Sequence, residues 1–346
     1  MPYVEDPLSE HEAREIRSPV QHLEVTVEEA GQRLDNFVQK RLGDVPRNRV
    51  YRVIRKGEVR VNGRRAGPET RLKAQDRIRL PPVRVLPRPE PGRPAPDLLA
   101  RIQGAVIHED KRLLVLDKPA GVAVHGGSGV SSGVIEALRA LRPQESLELV
   151  HRLDRDTSGC LLVARDAATL RALHALLREA GFEKRYLALL KGHWQLGDKR
   201  IDVPLRTDTR VGGERTVRAD ASGKPSVSHF RPVQFFGKTA TLVEVTLDTG
   251  RTHQIRVHAA HAGHPVAGDE KYGDEAFNDS LRGLGLTRMF LHASSLSFTW
   301  PQGGTFSVNA PLPPDLKGVL EGLAAEPRPA VKAARSPRRA VHRQAR

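Results

Sequence analysis

Leu149-Val150-His151-Arg152-Leu153-Asp154-Arg155-Asp156-Thr157-Ser158-Gly159-Cys160-Leu161-Leu162-Val163 is the stretch from which the rest of the chain is read. It ends in an unbroken apolar run, Cys160 to Val163, preceded by a charged turn that Thr157, Ser158 and Gly159 close. A polar turn feeding an apolar strand is a place where a rigid sheet holds functional side chains on a loop. Asp154 stands close to Arg152 and Arg155, cations that would favour and orient an ionised carboxylate. Charge alone describes only a solvated, salt-bridged turn.

The chain has 346 residues, enough for a full core and for two or more domains. Its 56 Lys and Arg against 41 Asp and Glu leave a net charge of +15. That excess, spread over segments patterned like folded elements, points to a polyanionic partner, nucleic acid ahead of anionic membrane. No apolar run approaches the roughly 20 residues of a spanning helix, and residues 1–18 are acidic and polar, unlike a secretory signal. The single cysteine, Cys160, permits no internal disulfide and no thiolate metal cluster, which fits a cytoplasmic protein. Its apolar flank marks it as a packing residue rather than a nucleophile. Two Trp and four Tyr are too few for an aromatic platform that stacks single strands.

Residues 1–18 read as a flexible arm. Leu34, Phe37, Val38, Arg41 and Leu42 recur at helical spacing. A second helix is predicted over 48–55, with Val50, Val53 and Ile54 on one side and Arg47, Arg49, Arg52, Arg55 and Lys56 on the other. Residues 57–63, which include Arg60, alternate like a strand and end in an Asn-Gly hairpin signal; 76–80 is a second strand. A basic helix face on such a unit suits RNA, although charge runs of this kind also occur as plain solvated faces. Arg33-Leu34-Asp35, followed by Ile54-x-x-Gly57-x-Val59-x-Val61-Asn62-Gly63, resembles the S4 RNA-binding domain, with Gln75-Asp76 where that domain has Gly-Asp. The resemblance implies contacts to phosphate and RNA shape through Arg47, Arg49, Arg52, Arg55, Lys56 and Arg60. Residues 81–97, rich in Pro and Arg, read as a stiff linker between an S4 domain at 19–80 and a catalytic domain at 98–322.

In the second half, 113–116 is a buried strand that runs into the turn Asp117-Lys118-Pro119-Ala120-Gly121. The glycine-rich 126–129 lacks the Gly-Lys-Ser/Thr ending of a phosphate loop. Asp166 is an N-cap for a helix carrying Leu170, Leu173, Leu176 and Leu177. Residues 183–190, with Tyr186, form a strand entering the core; 207–224 read as a mobile basic loop, and 226–236 and 240–247 as paired strands. Residues 291–299 are expected to be the last strand, and 323–346 a basic, disordered tail. His253, His258, His261 and His264 cluster without a matched carboxylate ligand or a His-Glu-x-x-His pattern, so they are not read as a metal site.

His151-Arg152-Leu153-Asp154-x-x-Thr157-Ser158-Gly159 resembles the active-site motif of the RluA family of pseudouridine synthases. Lys118-Pro119-x-Gly121 and Lys184-x-Tyr186-x-Ala188 resemble further motifs of that family. So does Gly250-Arg251-x-His253-Gln254-x-Arg256-x-His258, followed by Gly263-x-Pro265-x-x-Gly268-Asp269-x-x-Tyr272-Gly273. A kinase catalytic loop also begins His-Arg, but its following Asp, its Asn and its partner motifs are missing. The likeness covers about residues 32–320.

The resemblance implies an α+β fold, with a mixed, mainly antiparallel sheet in the catalytic domain beside a small α/β S4 domain. It implies conversion of uridine to pseudouridine without metal, redox or nucleotide cofactor. Asp154 would be the catalytic carboxylate, Arg256 its partner, and Tyr186 the ring facing the base, able to help remove the C5 proton. Arg152 would fill the space that the base leaves, with Arg155, His151 and His253 as further substrate contacts. Large-subunit ribosomal RNA or its precursor is the implied partner, with tRNA or another ribosomal site as the alternative. From another class, a non-catalytic S4-type assembly factor would need none of Asp154, Tyr186 and Arg256. A cytoplasmic monomer, not attached to a membrane, completes the expectation.

Overall fold

The computed structural model describes residues 16–17, 19–43, 45–85, 94–127, 132–179, 181–209 and 215–325. Most of the expected arm (1–15), the middle of the expected linker (86–93) and all but the start of the expected tail (326–346) lie outside the described residues.

The N-terminal unit follows from its apolar spacing. Helices Leu34–Leu42 and Arg47–Arg55 bury Leu34, Phe37, Val38, Leu42, Val50, Val53 and Ile54. These side chains share a core with Val59, Leu72, Ile78 and Leu80. The sheet is antiparallel, in the order Gln21–Glu24, Arg77–Leu80, Arg60–Val61, Arg64–Arg65. Gln21–Glu24 has no counterpart in the sequence reading, because one apolar residue in four gives no pattern. Asn62 and Gly63 take φ of 51° and 77°, the two left-handed positions that a two-residue hairpin demands. Gln75 holds φ of 69° where the S4 pattern has glycine, and Asp76 ties the turn by accepting from the Lys73 amide at 2.8 Å.

The expected linker starts later than its prolines suggest and ends sooner. Val83 is buried in the N-terminal core, and Arg84–Val85 pairs antiparallel with Ile16–Arg17. Residues assigned to arm and linker thus share a small sheet; an extended, proline-bounded segment suits an edge strand. At the other end the helix Pro96–Gly104 begins on its proline, whose missing N–H costs nothing at a first turn.

The remaining chain builds a ten-stranded sheet. Its main order is Lys199–Asp202, Val227–Phe236, Ala240–Leu247, Phe182–Lys191, Leu291–Thr299, Ser158–Ala164, Leu113–Lys118, Val106–Glu109. All described pairings are antiparallel except that of Ser158–Ala164 with Leu291–Thr299. The unbroken apolar runs of the central strands are explained by burial on both faces. Leu114, Leu116, Leu161 and Val163 enter one core; Leu113, Val115, Cys160 and Leu162 enter the other. Gly159 has no substitute where the strand enters between Lys118 and Ala293. Its φ is 109°, and a Cβ there would meet the Ala293 carbonyl oxygen at 2.2 Å.

Three expectations are corrected here. Residues 207–224 are not a loop: Leu205–Thr209 and Arg215–Ala219 form an antiparallel hairpin. Leu205 and Val217 pack on Val257, while Asp208 and Asp220 pair with Arg206 and Arg218 and offset the basic charge. Leu291–Thr299 is not the last strand, since Thr305–Asn309 folds back on it and stacks Phe306 against Phe298. The tail begins later than residue 323, because helix Pro314–Ala325 buries Leu316, Val319 and Leu323.

Gln75→Gly is expected to stabilise the N-terminal unit by about 0.5–1 kcal/mol, the left-handed penalty less the extra chain entropy of glycine. A urea titration reads this as a higher midpoint; a lower one would mean that the exposed Gln75 side chain contributes more than its backbone costs.

Candidate active site

The loop 151–157 leaves the sheet immediately before Ser158–Ala164. A turn closes it, the Thr157 amide donating to the Asp154 carbonyl at 3.2 Å. Lys118 fastens it from below. Its fully buried ammonium donates to the carbonyls of Pro119, Val122 and Arg155 at 2.9, 2.8 and 2.9 Å. Burial pushes that amine down to about 7, against the pull of Asp156 and Asp154. The lysine of the Lys-Pro motif is therefore a support of the loop.

Asp154, Arg152, His151, Tyr186, His253 and Arg256 line one cavity of about 360 Å³. Asp154 is its one carboxylate, 18% exposed, with Arg256 Nη1 3.4 Å and His253 Nε2 3.9 Å from Oδ2. The groups that orient Asp154, the Arg256 guanidinium and the His253 ring, come from the segment around helix Gln254–His261, not from its chain neighbours. Arg155 pairs with Asp156 at 3.2 Å, and both border a second, adjoining hollow that shares Asp154, His253 and Arg256 with the first. Arg152 is exposed and also lines both.

Arg256 is itself held by Asp269, which sequence reasoning quoted within a motif but gave no role. Nε and Nη2 donate to Oδ2 and Oδ1 of Asp269 at 2.7 and 2.8 Å. Burial would raise the Asp269 carboxyl, but the guanidinium holds it below the usual carboxylate range. The guanidinium also lies over the Tyr272 ring, 5.0 Å from its centre. The Val217 amide donates to the Tyr272 hydroxyl at 2.9 Å, which directs the hydroxyl proton to His253 Nδ1 at 2.8 Å. A neutral His253 then carries its proton on Nε2, the nitrogen facing Asp154. His253 adopts φ of 53° to reach this position, strain of the kind that collects at functional sites.

Other motif residues brace the frame. Gln254 Oε1 accepts from Thr249 Oγ1 and the Arg251 amide, while Nε2 donates to Val227 O and Ser228 Oγ. Ser228 passes its own proton to His258 Nδ1, and His258 Nε2 donates to the Val203 carbonyl. His264 Nδ1 donates to the Lys191 carbonyl. Three of the four clustered histidines thus serve different partners while His261 is exposed, and no group of three or more metal-binding side chains converges among the described residues. His151 lines the cavity but spends Nε2 accepting the Leu162 amide at 3.2 Å. Tyr186 is buried on the cavity wall. Burial first, then the charge of Asp154, push its phenol above the ordinary range, so the hydroxyl keeps its proton.

None of the six basic residues expected to meet RNA on the N-terminal unit lines this cavity. Arg47, Arg52, Arg55 and Lys56 are exposed, Arg49 and Arg60 half-buried, and none pairs with a carboxylate among the described residues. The Arg33-Leu34-Asp35 motif works inward: Asp35 accepts from Arg33 at 2.7 Å and from the Tyr51 hydroxyl at 2.8 Å. No helix among the described residues is long and apolar enough to cross a membrane.

Comparison with known proteins gives this geometry a context. The RNA pseudouridylate synthase family matches residues 112–261 and the S4 domain matches 32–78. The chain is 50% identical over 311 residues to ribosomal large subunit pseudouridine synthase C of Pasteurella multocida, covering 89% of this chain and 95% of that one. The protein of the same name from Escherichia coli K12 is 51% identical over 304 residues, covering 86% and 95%. The solved structure of human RNA pseudouridylate synthase domain containing 4 superposes with a TM-score of 0.55 at 25% identity, over 67% of this chain and 98% of that one.

Two outcomes follow from this geometry. Asp269→Ala leaves the Arg256 guanidinium buried without its bidentate partner and is expected to cost about 3–5 kcal/mol in chemical denaturation; a loss under 1 kcal/mol would mean that Arg256 finds another seat. The second concerns pH. Burial pushes His151 down to about 4 and also lowers His174, His253, His258 and His292. Unfolded, these rings titrate near 6.5, so the unfolded chain binds more protons as pH falls below that value. Stability present above about pH 6.5 is therefore lost as pH drops toward 4. Urea midpoints at pH 7.5 and pH 5 should differ in that sense, and equal midpoints would contradict the neutral rings.

Proposed function

The chain belongs to the RNA pseudouridylate synthase family, and from that premise we propose that it converts specific uridines of large-subunit ribosomal RNA to pseudouridine, with Asp154 as the catalytic carboxylate. The observation that carries this is Asp154 as the one carboxylate of a cavity shared with buried Tyr186, held from behind by Arg256. The names of the two bacterial relatives supply the substrate, and the S4 domain supports RNA as the partner.

The reaction breaks the N1–C1′ bond, turns the base, joins C5 to C1′, releases the C5 proton and leaves N1 carrying a proton in its place. A carboxylate at C1′ can attack the sugar, stabilise positive character there, or take a sugar proton; carboxylates do related work in glycosidases. Arg256 favours the ionised form and fixes its direction. We assign the Tyr186 ring to the face of the base. A phenol that keeps its proton is a poor acceptor for the C5 proton, which falls to Asp154 or to solvent. The uridine must leave its stack at a cost of a few kcal/mol, and we assign exposed Arg152 to the gap it leaves. His253 and Arg155 would touch the flanking nucleotides, while the part of His151 is to brace the loop.

On this reading the N-terminal unit, through the strand Arg84–Val85, grips RNA with Arg47, Arg49, Arg52, Arg55, Lys56 and Arg60. The catalytic unit runs from helix Pro96–Gly104 to helix Pro314–Ala325. We assign action as a monomer, and a ribosomal substrate supports the cytoplasm as its place.

Tritium release from ribosomal RNA labelled at uridine C5 tests the proposal. Native protein should release tritium and Asp154→Asn should fall at least 10³-fold, the scale of losing a group that acts on the reacting atoms. Equal release by both, or none by the native protein on ribosomal RNA, would overturn it.

A further inference from the structure

The cavity holds two charged groups that the reaction above leaves unused: Arg251, which is exposed and donates to the Pro225 carbonyl, and Lys184. Lys184 lies two residues before Tyr186 on strand Phe182–Lys191, so both project to the same side, about 6.6 Å apart along the strand. Its side chain is half-buried, and Nζ rests beside Gly250, 3.7 Å from the point where a side chain there would begin. Among the described residues the ammonium makes no hydrogen bond or ion pair. The contrast with Arg256, buried against Asp269, is direct. Asp154, the single carboxylate of the cavity, is already faced by Arg256 and His253. Burial lowers the Lys184 pKa and no nearby carboxylate opposes it.

A half-buried cation without a counter-charge is a cost that a bound anion removes. Resting on the RNA substrate proposed above, we propose that Lys184 forms the binding site for the phosphate that flanks the target uridine. Tyr186 sits at the buried wall of the cavity, whereas Lys184 also borders an open groove formed by residues 181–184, 246–248 and 297–299. The ammonium therefore stands where the cavity meets the surface, one nucleotide's reach outward from the ring that meets the base. A sugar–phosphate backbone enters from that side: the groove's own carboxylates, Glu183 and Asp248, are engaged by Arg185 and His229, which leaves the Lys184 ammonium for a phosphate.

A phosphate contact is made equally before and during the reaction, so it appears in KM and not in kcat. With full-length large-subunit ribosomal RNA as substrate, Lys184→Met should raise KM about tenfold and leave kcat within twofold. The log–log salt dependence of binding should fall in slope by about 0.7–0.9, one phosphate contact fewer. Lys184→Arg should restore both. A fall in kcat at unchanged KM would place the ammonium on the reacting base and overturn the proposal, as would an unchanged KM and slope. Should Lys184→Met fail to fold, native protein can be given RNA with a neutral methylphosphonate on either side of the modified uridine. One of the two positions should show the tenfold loss, and a loss at neither refutes the contact. Fluorescence anisotropy of the same RNA runs alongside. A native protein that binds without releasing tritium would sink the functional reading, while the Lys184 contact still stands or falls on its Kd and slope.

Discussion

The candidate site depends on one buried ion pair, Arg256 with Asp269. The Asp269 side chain is wholly enclosed and accepts four hydrogen bonds, two from the guanidinium and two from the amides of Lys271 and Tyr272. A single carboxylate thus fixes the cation that faces Asp154 and shapes the turn that delivers Tyr272. Through the Tyr272 hydroxyl the same turn sets the tautomer of His253. Such a pair contributes little net stability, because desolvation offsets attraction. What it supplies is direction: three side chains around Asp154 have one arrangement.

The sheet supplies the complementary constraint. Strand Ser158–Ala164 is buried on both faces and bound on both edges, so the loop before it cannot shift without disturbing two cores. Lys118 extends that rigidity into the loop itself through the Arg155 carbonyl. Preorganisation of this kind suits the role proposed for Asp154, which requires a carboxylate held in one place.

Much of this was legible in the sequence where pattern and chemistry coincide. The apolar run after Gly159 marked a central strand, and the motif residues Asp154, Tyr186 and Arg256 do meet in one cavity. Other features carried no readable signal. Asp269 is 13 residues beyond Arg256, across a helix end and a turn, and a spacing of that kind has no period. The hairpin at Leu205–Thr209 and Arg215–Ala219 looked like a loop because its strands alternate charge with threonine; Val217 alone points to the packing that orders it. The cations flanking Asp154 in sequence suggested its partners, but the turn sends Arg155 outward and leaves that work to a distant helix.

The pairing of Ser158–Ala164 with Leu291–Thr299 also bears on the order in which the molecule can come into being. The N-terminal unit has all its strands once residue 85 has been made, and domains that emerge first generally fold first. Asp154 emerges long before Asp269 and before the strand that walls its own on the far edge. A chain still under synthesis therefore passes through a long interval in which it has its basic helix face but no assembled catalytic centre. In that interval it could hold RNA without altering it.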